Sequence, residues 1–425
     1  MVKLIPFKGL RYNNKAINLE NVVAPPYDVI TKEQQSEYYN KTEFNVIRLI
    51  LGKSHADDTS NNNRYTRASS YLEKWLMNGV LIQDGEPSIY VYEGEYQFQN
   101  ETKIFKGFIA LALIDEVEGS SILPHEETLD EQIKDRLALI SKCKSNFSSI
   151  YSIYQDSSND IDSLIDHKNN GELISDVVAE QVHHRMWKIS NPQIINRIVK
   201  SMENKQVVIA DGHHRYKTAR EFWIKSKDDT SKYVMMFFAN IDYGGITILP
   251  AHRVIKDIKN INLKNILPRI EEHFDIIDLS KGKSKIDITI EMEKFSKNIP
   301  DKKILGLYYQ NKFFLLVLKN YNVLDDIGNK DKSKRWRRLD VSTVHYLILK
   351  HILNINKIQN KVEYIIDCED AISLVDKNNY QLAIFVKPTK LKDVIDIAKK
   401  GEKMPGKATY FYPKLLTGLV LNKFL

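Results

Sequence analysis

Apolar and polar positions change period several times along the chain. Ser88–Glu95 and Lys103–Ile114 are rich in β-branched and aromatic residues and flank a polar turn, Gln99–Thr102, which predicts a strand pair. Lys303–Tyr309 and Lys312–Leu318 predict a second hairpin around Gln310–Asn311, and Phe147–Tyr154 reads as a further strand. Ser342–Leu353 and Lys390–Lys400 carry helical spacing. The most informative stretch begins with a short strand, Arg185–Ile189. Ser190-Asn191-Pro192 then offers a capping residue ahead of a proline near the first helical position. Ile194, Ile195, Ile198, Val199 and Met202 share one helical face, Val207–Ala210 is a short buried strand, and Asp211-Gly212-His213-His214-Arg215 follows at once. Tyr216, Ala219, Phe222 and Trp223 open the next helical stripe. The predicted class is α+β (mixed α/β).

Polar runs suggest where the chain divides. Asp57–Asn63, Asp156–Asp160 and His167–Gly171 read as exposed loops, and Asp325–Lys334 as a linker. Three regions are expected: 1–175, 176–260 and 261–425. With 425 residues the chain has ample length for more than one core. Apolar residues make up 43% and charged residues 28%, which excludes a disordered chain or a fibrous repeat. No stretch approaches the apolar length of a membrane span, and two cysteines cannot build a disulfide framework, so a reducing cytoplasm is the expected home and no membrane partner is expected. The net charge of +7 suits an anionic small substrate as well as a nucleic acid. The basic run Lys330–Arg338 reads either as a solvated linker or as a phosphate patch with Trp336 for stacking.

Candidate chemistry concentrates at the 211–215 turn. A turn between a strand end and a helix start presents backbone N–H groups that no helical carbonyl satisfies, and the helix dipole favours an anion there. Gly212 allows close approach of a ligand, Arg215 supplies a planar fork, His213 and His214 can donate to phosphate oxygens, and Asp211 can hold a metal ion or accept a proton. A second cluster, Leu123–Thr128, places His125 and Glu126 ahead of a helix begun by a Thr128/Glu131 capping box, where the pair could do acid–base work. A third, Ala24–Ile30, uses Pro25 and Pro26 to hold Tyr27 and Asp28 in a rigid turn. Pro250–Arg253 and the Lys-, Tyr- and Pro-rich Met404–Lys414 are weaker signals, and Cys143 reads as core. No Walker loop, dinucleotide fingerprint, H-E-x-x-H or G-x-S-x-G pattern occurs.

Four segments, VIADGHHRYKTA (208–219), APPYDVI (24–30), LPHEET (123–128) and MPGKATYFYPKLLTGLV (404–420), resemble the signatures of domain-of-unknown-function family 1015, in an order and spacing that fit essentially the whole chain. The Asp-Gly-His-His-Arg region also resembles the phosphate-binding core shared by ParB-type nucleotide-binding proteins, sulfiredoxins and archaeal free-serine kinases. That resemblance implies that Gly212, His213, His214, Arg215, Tyr216 and Thr218 bind ADP or ATP, with Asp211 holding Mg²⁺ and His184 and Arg185 lining the same pocket. A histidine stands where sulfiredoxins place a cysteine, so reduction of sulfinic acids is not expected. The function expected is a nucleotide-dependent small-molecule kinase. Free serine or a similar hydroxyl metabolite would be its substrate, Asp28 or Glu126 the base, and His125 and Asp211 further catalytic residues. A nucleotide-responsive switch and a phosphatase or nucleotide hydrolase are the alternatives. No nucleic-acid partner is expected, and the sequence leaves the oligomeric state open.

Overall fold

Alternation in the strands and stripes in the helices build two units of α+β structure. The computed structural model describes residues 1–166, 170–258, 262–280, 287–377 and 379–424. One unit comprises Met1–Pro124, Thr128–Thr247 and Phe411–Leu425, and the other His125–Glu127 and Ile248–Tyr410. The expected boundary at 175/176 falls within a strand, Glu172–Ala179, because the chain on either side of it pairs into one sheet. The expected boundary at 260/261 lies outside the described residues.

The first unit is organised by a nine-stranded sheet. Its strands are β1 (Leu4–Ile5), β2 (Ile89–Phe98), β3 (Glu101–Leu113), β4 (Ile122–Leu123), β5 (Ile150–Tyr154), β6 (Glu172–Ala179), β7 (Val182–Ile189), β8 (Val207–Asp211) and β9 (Tyr233–Asn240). They run in the order β4-β8-β5-β9-β3-β2-β7-β6, with β1 beside β3. Pairing is parallel between β4 and β8 and between β5 and β9, and antiparallel elsewhere. Gln99 and Asn100, and likewise Glu180 and Gln181, have positive φ, the backbone of the two-residue turn that matches strand twist. Helices α1 (Asp130–Cys143), α2 (Pro192–Glu203) and α3 (His213–Ser226) belong to this unit. Asn191 caps α2 through its side chain with Pro192 at the first position, and Ile195, Ile198 and Met202 enter the core, as the sequence predicts. A second packing face is aromatic, where Tyr92, Phe105, Tyr151, Phe237 and Phe411 meet ring on ring.

The second unit has a six-stranded sheet of β10 (His252–Ile255), β11 (Phe274–Asp278), β12 (Ile304–Tyr309), β13 (Lys312–Leu318), β14 (Val362–Ile365) and β15 (Leu382–Phe385). The order is β11-β13-β12-β15-β10-β14. Leu305 and Leu307 pack into one core and Ile304 and Tyr308 into another, so both faces are covered and the strands read as continuous apolar runs. The predicted helix near Ser342–Leu353 is a π-helix over Thr343–Ile352.

Two sequence expectations are corrected. Lys330–Arg338 is neither a solvated linker nor a stacking platform. Trp336 is 2% exposed and its indole N–H donates to the Lys403 carbonyl at 2.8 Å, while Arg335 and Arg337 pair with Asp393 and Asp325. Asp156, expected in an exposed loop, is buried, where it accepts from Lys205 Nζ at 2.9 Å and from the Ile161 N–H at 3.2 Å. Among the described residues, no helix is long and apolar enough to cross a membrane.

Candidate functional site

The 211–215 turn sits where the sequence places it, at the end of β8 and the start of α3. Gly212 adopts φ +95°, a conformation that side chains rarely adopt, and the first helical bond runs from the Tyr216 N–H to its carbonyl at 3.0 Å. Gly212 contributes no side-chain cap, so the positive end of a 14-residue helix lies behind this turn. A Cβ on Gly212 would stand 2.9 Å from the Arg215 guanidinium, which therefore folds back over the turn. Arg215 Nη2 donates to Asp211 Oδ2 at 2.6 Å, and Arg215 Nη1 donates to the Ser149 carbonyl. The other Asp211 oxygen accepts from Lys414 Nζ. One carboxylate thus carries two cations at a helix N-terminus, an arrangement that attracts anions.

Lys414 is the residue that sequence reasoning missed. Its signal was the lysine- and tyrosine-rich run 404–414, which read only as a structured terminal segment because the partner strand lies some 200 positions earlier in the chain.

The remaining residues of the turn have specific partners. His213 is buried. His214 Nε2 accepts the Leu129 N–H at 2.9 Å, so the imidazole caps α1. This replaces the expected capping box. Helix α1 begins at Asp130 behind Leu129, which has no side-chain oxygen to offer, while Thr128 Oγ1 accepts from Lys217 Nζ at 3.3 Å. Tyr216 is buried, and its hydroxyl accepts the Asp115 N–H at 3.2 Å. Thr218 is 2% exposed, and its Oγ1 is buried without a hydrogen-bond partner.

His184 and Arg185 lie on β7 and project to opposite faces of the sheet. His184 is 1% exposed. The Leu416 N–H donates to Tyr92 Oη at 3.2 Å, and Tyr92 Oη lies 2.6 Å from His184 Nδ1. His184 Nε2 lies 3.2 Å from the Ala179 carbonyl, so Nε2 carries the proton and Nδ1 accepts. Burial pushes its pKa from 6.5 down to about 4. Both ring nitrogens are committed, which is the geometry of a structural histidine. Arg185 spans Glu93 at 3.0 Å and Glu95 at 2.7 Å.

The structure brings the Ala24–Ile30 segment to the turn. Tyr27 and Arg215 line one cavity, and Tyr27 packs its ring on the Arg136 guanidinium at 3.9 Å. Burial, then the charge of Asp28, pushes the Tyr27 hydroxyl up to about 12. Asp28 itself lies exposed on a single 3₁₀ turn, Tyr27–Val29.

His125 and Glu126 belong to the second unit, with the first part of the late motif, Met404–Tyr410. The Met404 N–H donates to the His125 carbonyl at 2.7 Å, His125 Nε2 lies 3.1 Å from Thr409 Oγ1, and the Lys407 N–H donates to Glu126 Oε1 at 3.0 Å. Arg253 lies beside them, 3% exposed, donating to the Lys407 carbonyl at 3.4 Å and facing the Tyr364 ring. Burial lowers its pKa to about 10. His252 accepts the Val386 N–H on Nδ1 at 3.3 Å, so its Nε2–H points at Cys368 Sγ, 3.0 Å away. Burial raises that thiol to about 12.

Among the described residues, no group of three or more His, Cys, Asp or Glu side chains could hold a metal ion. Asp211 offers a single carboxylate. One of its oxygens is taken by Arg215 and the other by Lys414, so the carboxylate as arranged here does not fit a metal ion.

Solved structures show distant likenesses. A free serine kinase in complex with AMP is 14% identical, with 69% of this chain and 85% of that chain covered and a TM-score of 0.33. A conserved hypothetical protein from Pyrococcus furiosus is 12% identical over 73% of this chain and 97% of that one, with a TM-score of 0.36. SbnI with a C-terminal truncation, from Staphylococcus aureus, is 12% identical over 73% and 86%, with a TM-score of 0.34. No curated protein sequence matches the chain. The profile of one family matches residues 4–342, and the chain belongs to that family, which is described as Protein of unknown function (DUF1015).

Proposed function

We propose that the first unit binds the phosphates of ADP or ATP at the 211–215 turn and transfers a phosphoryl group to the hydroxyl of a small metabolite. The observation that carries this reading is the pair of cations, Arg215 and Lys414, gathered on Asp211 in front of the α3 N-terminus. Phosphoryl transfer depends on positioning and charge stabilisation more than on covalent chemistry, and this turn supplies both. In the step, the bond from the terminal phosphorus to the acceptor oxygen forms as the phosphorus–oxygen bond to the nucleotide breaks, leaving AMP from ADP or ADP from ATP. Asp28, the carboxylate beside the cavity residue Tyr27, takes the hydroxyl proton. Free serine, or a similar hydroxyl metabolite, is the acceptor suggested by the likeness of the Asp-Gly-His-His-Arg segment to free-serine kinases.

The experiment is to incubate the protein with ADP or ATP, Mg²⁺ and a set of hydroxyl metabolites including serine, and to follow products by mass spectrometry. A product heavier by one phosphoryl group is expected. Asp28→Asn should lower its rate ~10²–10⁴-fold while nucleotide affinity is kept. Nucleotide binding with no phosphorylated product, from either nucleotide and any acceptor, would refute the kinase and leave the nucleotide-responsive switch or, where inorganic phosphate is released, a hydrolase.

A further inference from the structure

The sheet of the first unit ends in β6, whose outer side pairs with no strand among the described residues. The two-residue turn Glu180–Gln181 closes the β6–β7 hairpin, so the flanking pair Ala179/Val182 exchanges hydrogen bonds, as do Val177/His184 and Ser175/Met186 beyond it. Asp176 and Val178 fall between these pairs and turn their N–H and C=O groups away from β7. The Ile174 carbonyl, next along this edge, accepts from Asn14 Nδ2 at 3.1 Å. Among the described residues, the outward backbone groups of Asp176 and Val178 have no such partner, and both residues are exposed.

The side chains on this edge form a pattern. Leu173 lies opposite Trp187, Asp176 opposite Arg185 and Val178 opposite His183, so the bulge between Leu173 and Ser175 puts all three on one face. Leu173 is 52% and Val178 58% exposed, so two apolar side chains flank a carboxylate on an open edge. Such an edge is a template for another strand. A groove of about 360 Å³ runs along it, between residues 173–177 and the segment 14–20. That volume lies within the range of binding clefts. Its polar lining is Asn14, Asn18, Glu20, Ser175 and Asp176, with no basic side chain among them. Asp176 Oδ1 lies 2.6 Å from His183 Nε2, and Glu172, at the start of β6, pairs with Lys188 at 3.0 Å; both carboxylates stay largely exposed.

We propose that β6 receives an extended segment of a partner protein, added antiparallel along Asp176–Val178, with the pattern apolar-x-basic-x-apolar. The segment's backbone completes the outward groups of Asp176 and Val178. Its central Lys or Arg lies opposite Asp176, and the apolar residues two positions to either side meet Val178 and Leu173. A second copy of this chain fits less well. Antiparallel pairing of β6 with itself about Asp176 sets two carboxylates opposite each other, and pairing about Val177 sets each carboxylate against Val178. The inference uses no residue of the 211–215 turn and does not rest on the nucleotide reading.

The probe is the dye-labelled peptide Thr-Val-Thr-Lys-Thr-Val-Thr, blocked at its C-terminus and titrated by fluorescence anisotropy. One comparison peptide carries Glu in place of the central Lys, and another has the Lys backbone nitrogen methylated. The parent peptide is expected to bind, with the Glu form roughly tenfold weaker because it sets like charges opposite each other. The methylated form should also be weaker, since it leaves an edge carbonyl unpaired. Val178→Pro removes an outward N–H at a place where an edge strand tolerates proline, and should weaken binding of the parent peptide. Asp176→Lys leaves the backbone intact and should reverse the preference, so that the Glu peptide binds better. Thermal denaturation checks that each variant folds, and Asp176→Lys decides the matter if Val178→Pro does not. No binding of the Lys peptide at millimolar concentration, equal affinity for the Glu or methylated forms, or an unchanged preference in Asp176→Lys would each overturn the proposal. So would a dimer of the parent protein in sedimentation that Val178→Pro dissolves, because the edge would then belong to a second copy. AMP titrated into the same protein reports on the 211–215 turn separately, so the two readings can fail independently.

Discussion

Asp211 is tied by two cations, and that decides what changes around it should do. Arg215→Ala removes a clamp from the turn but leaves Asp211 on Lys414, so the fold should survive while phosphate-ligand affinity falls by about 2–4 kcal/mol, the scale of a lost partly buried charge contact. Calorimetric titration with AMP or ADP, alongside thermal denaturation, separates the two effects. Gly212→Ala acts on the same turn by another route. At φ +95° an L side chain is strained by ~1–2 kcal/mol, and its Cβ would meet the Arg215 guanidinium at 2.9 Å. The guanidinium is the far end of a flexible chain and can swing away, so a modest loss of stability should come with a clear loss of nucleotide affinity. A variant binding nucleotide as well as the parent would argue that the guanidinium's position over the turn has no role. Asp211, Gly212 and Arg215 were legible in the sequence because strand, turn and helix signals are all local. Lys414 was not, since its role is fixed by the tertiary path that returns the chain to the first unit.

Elements were read best where the signal lies within them. Asn191-Pro192 marked the start of α2, and the apolar alternation around Gln99–Asn100 and Gln310–Asn311 marked hairpins whose central residues do take positive φ. The start of α1 was misread because its cap comes from elsewhere in the chain. His214 accepts the Leu129 N–H from 85 residues away, doing through space what Thr128 was expected to do through the chain. The boundary at 175/176 failed for a similar reason, since sheet pairing joins segments that composition separates. His214→Ala should therefore uncap α1 and cost roughly 1 kcal/mol, the usual worth of an N-cap. Hydrogen exchange should quicken at residues 129–133 in particular, with the far end of α1 unchanged. Uniform quickening across the unit would mean that His214 supports the fold more widely than one helix end. His214→Asn, which keeps a side-chain acceptor, should recover part of the loss.

Across the whole molecule, each unit buries neutral imidazole. His184 in the first and His252 and His345 in the second are pushed by burial from 6.5 to about 4. A histidine with a depressed folded pKa binds its proton more readily when unfolded, so the unfolded state gains protons first as acid is added. Stability from these groups is fully present above pH 6.5 and is lost as pH falls from 6.5 toward 4. At ~1.4 kcal/mol per pKa unit, each site contributes on the order of 3 kcal/mol to that loss. The carboxylates act lower. Asp84, Asp135 and Asp156 are held below their ordinary value of 3.8 despite burial, by Arg11, Arg136 and Lys205, so their contribution disappears only below about pH 4. Denaturant unfolding at a series of pH values should thus show a first fall in stability between 6.5 and 4, and a second below 4. His184→Gln should flatten the first fall for the first unit alone, because it removes the proton-binding group while an amide can still accept from Tyr92. If stability stayed level down to pH 4 in the parent protein, the imidazoles would have to titrate freely in the folded state. The hydrogen bonds that fix His184 on Tyr92 and Ala179, and His252 on Val386, argue that they do not.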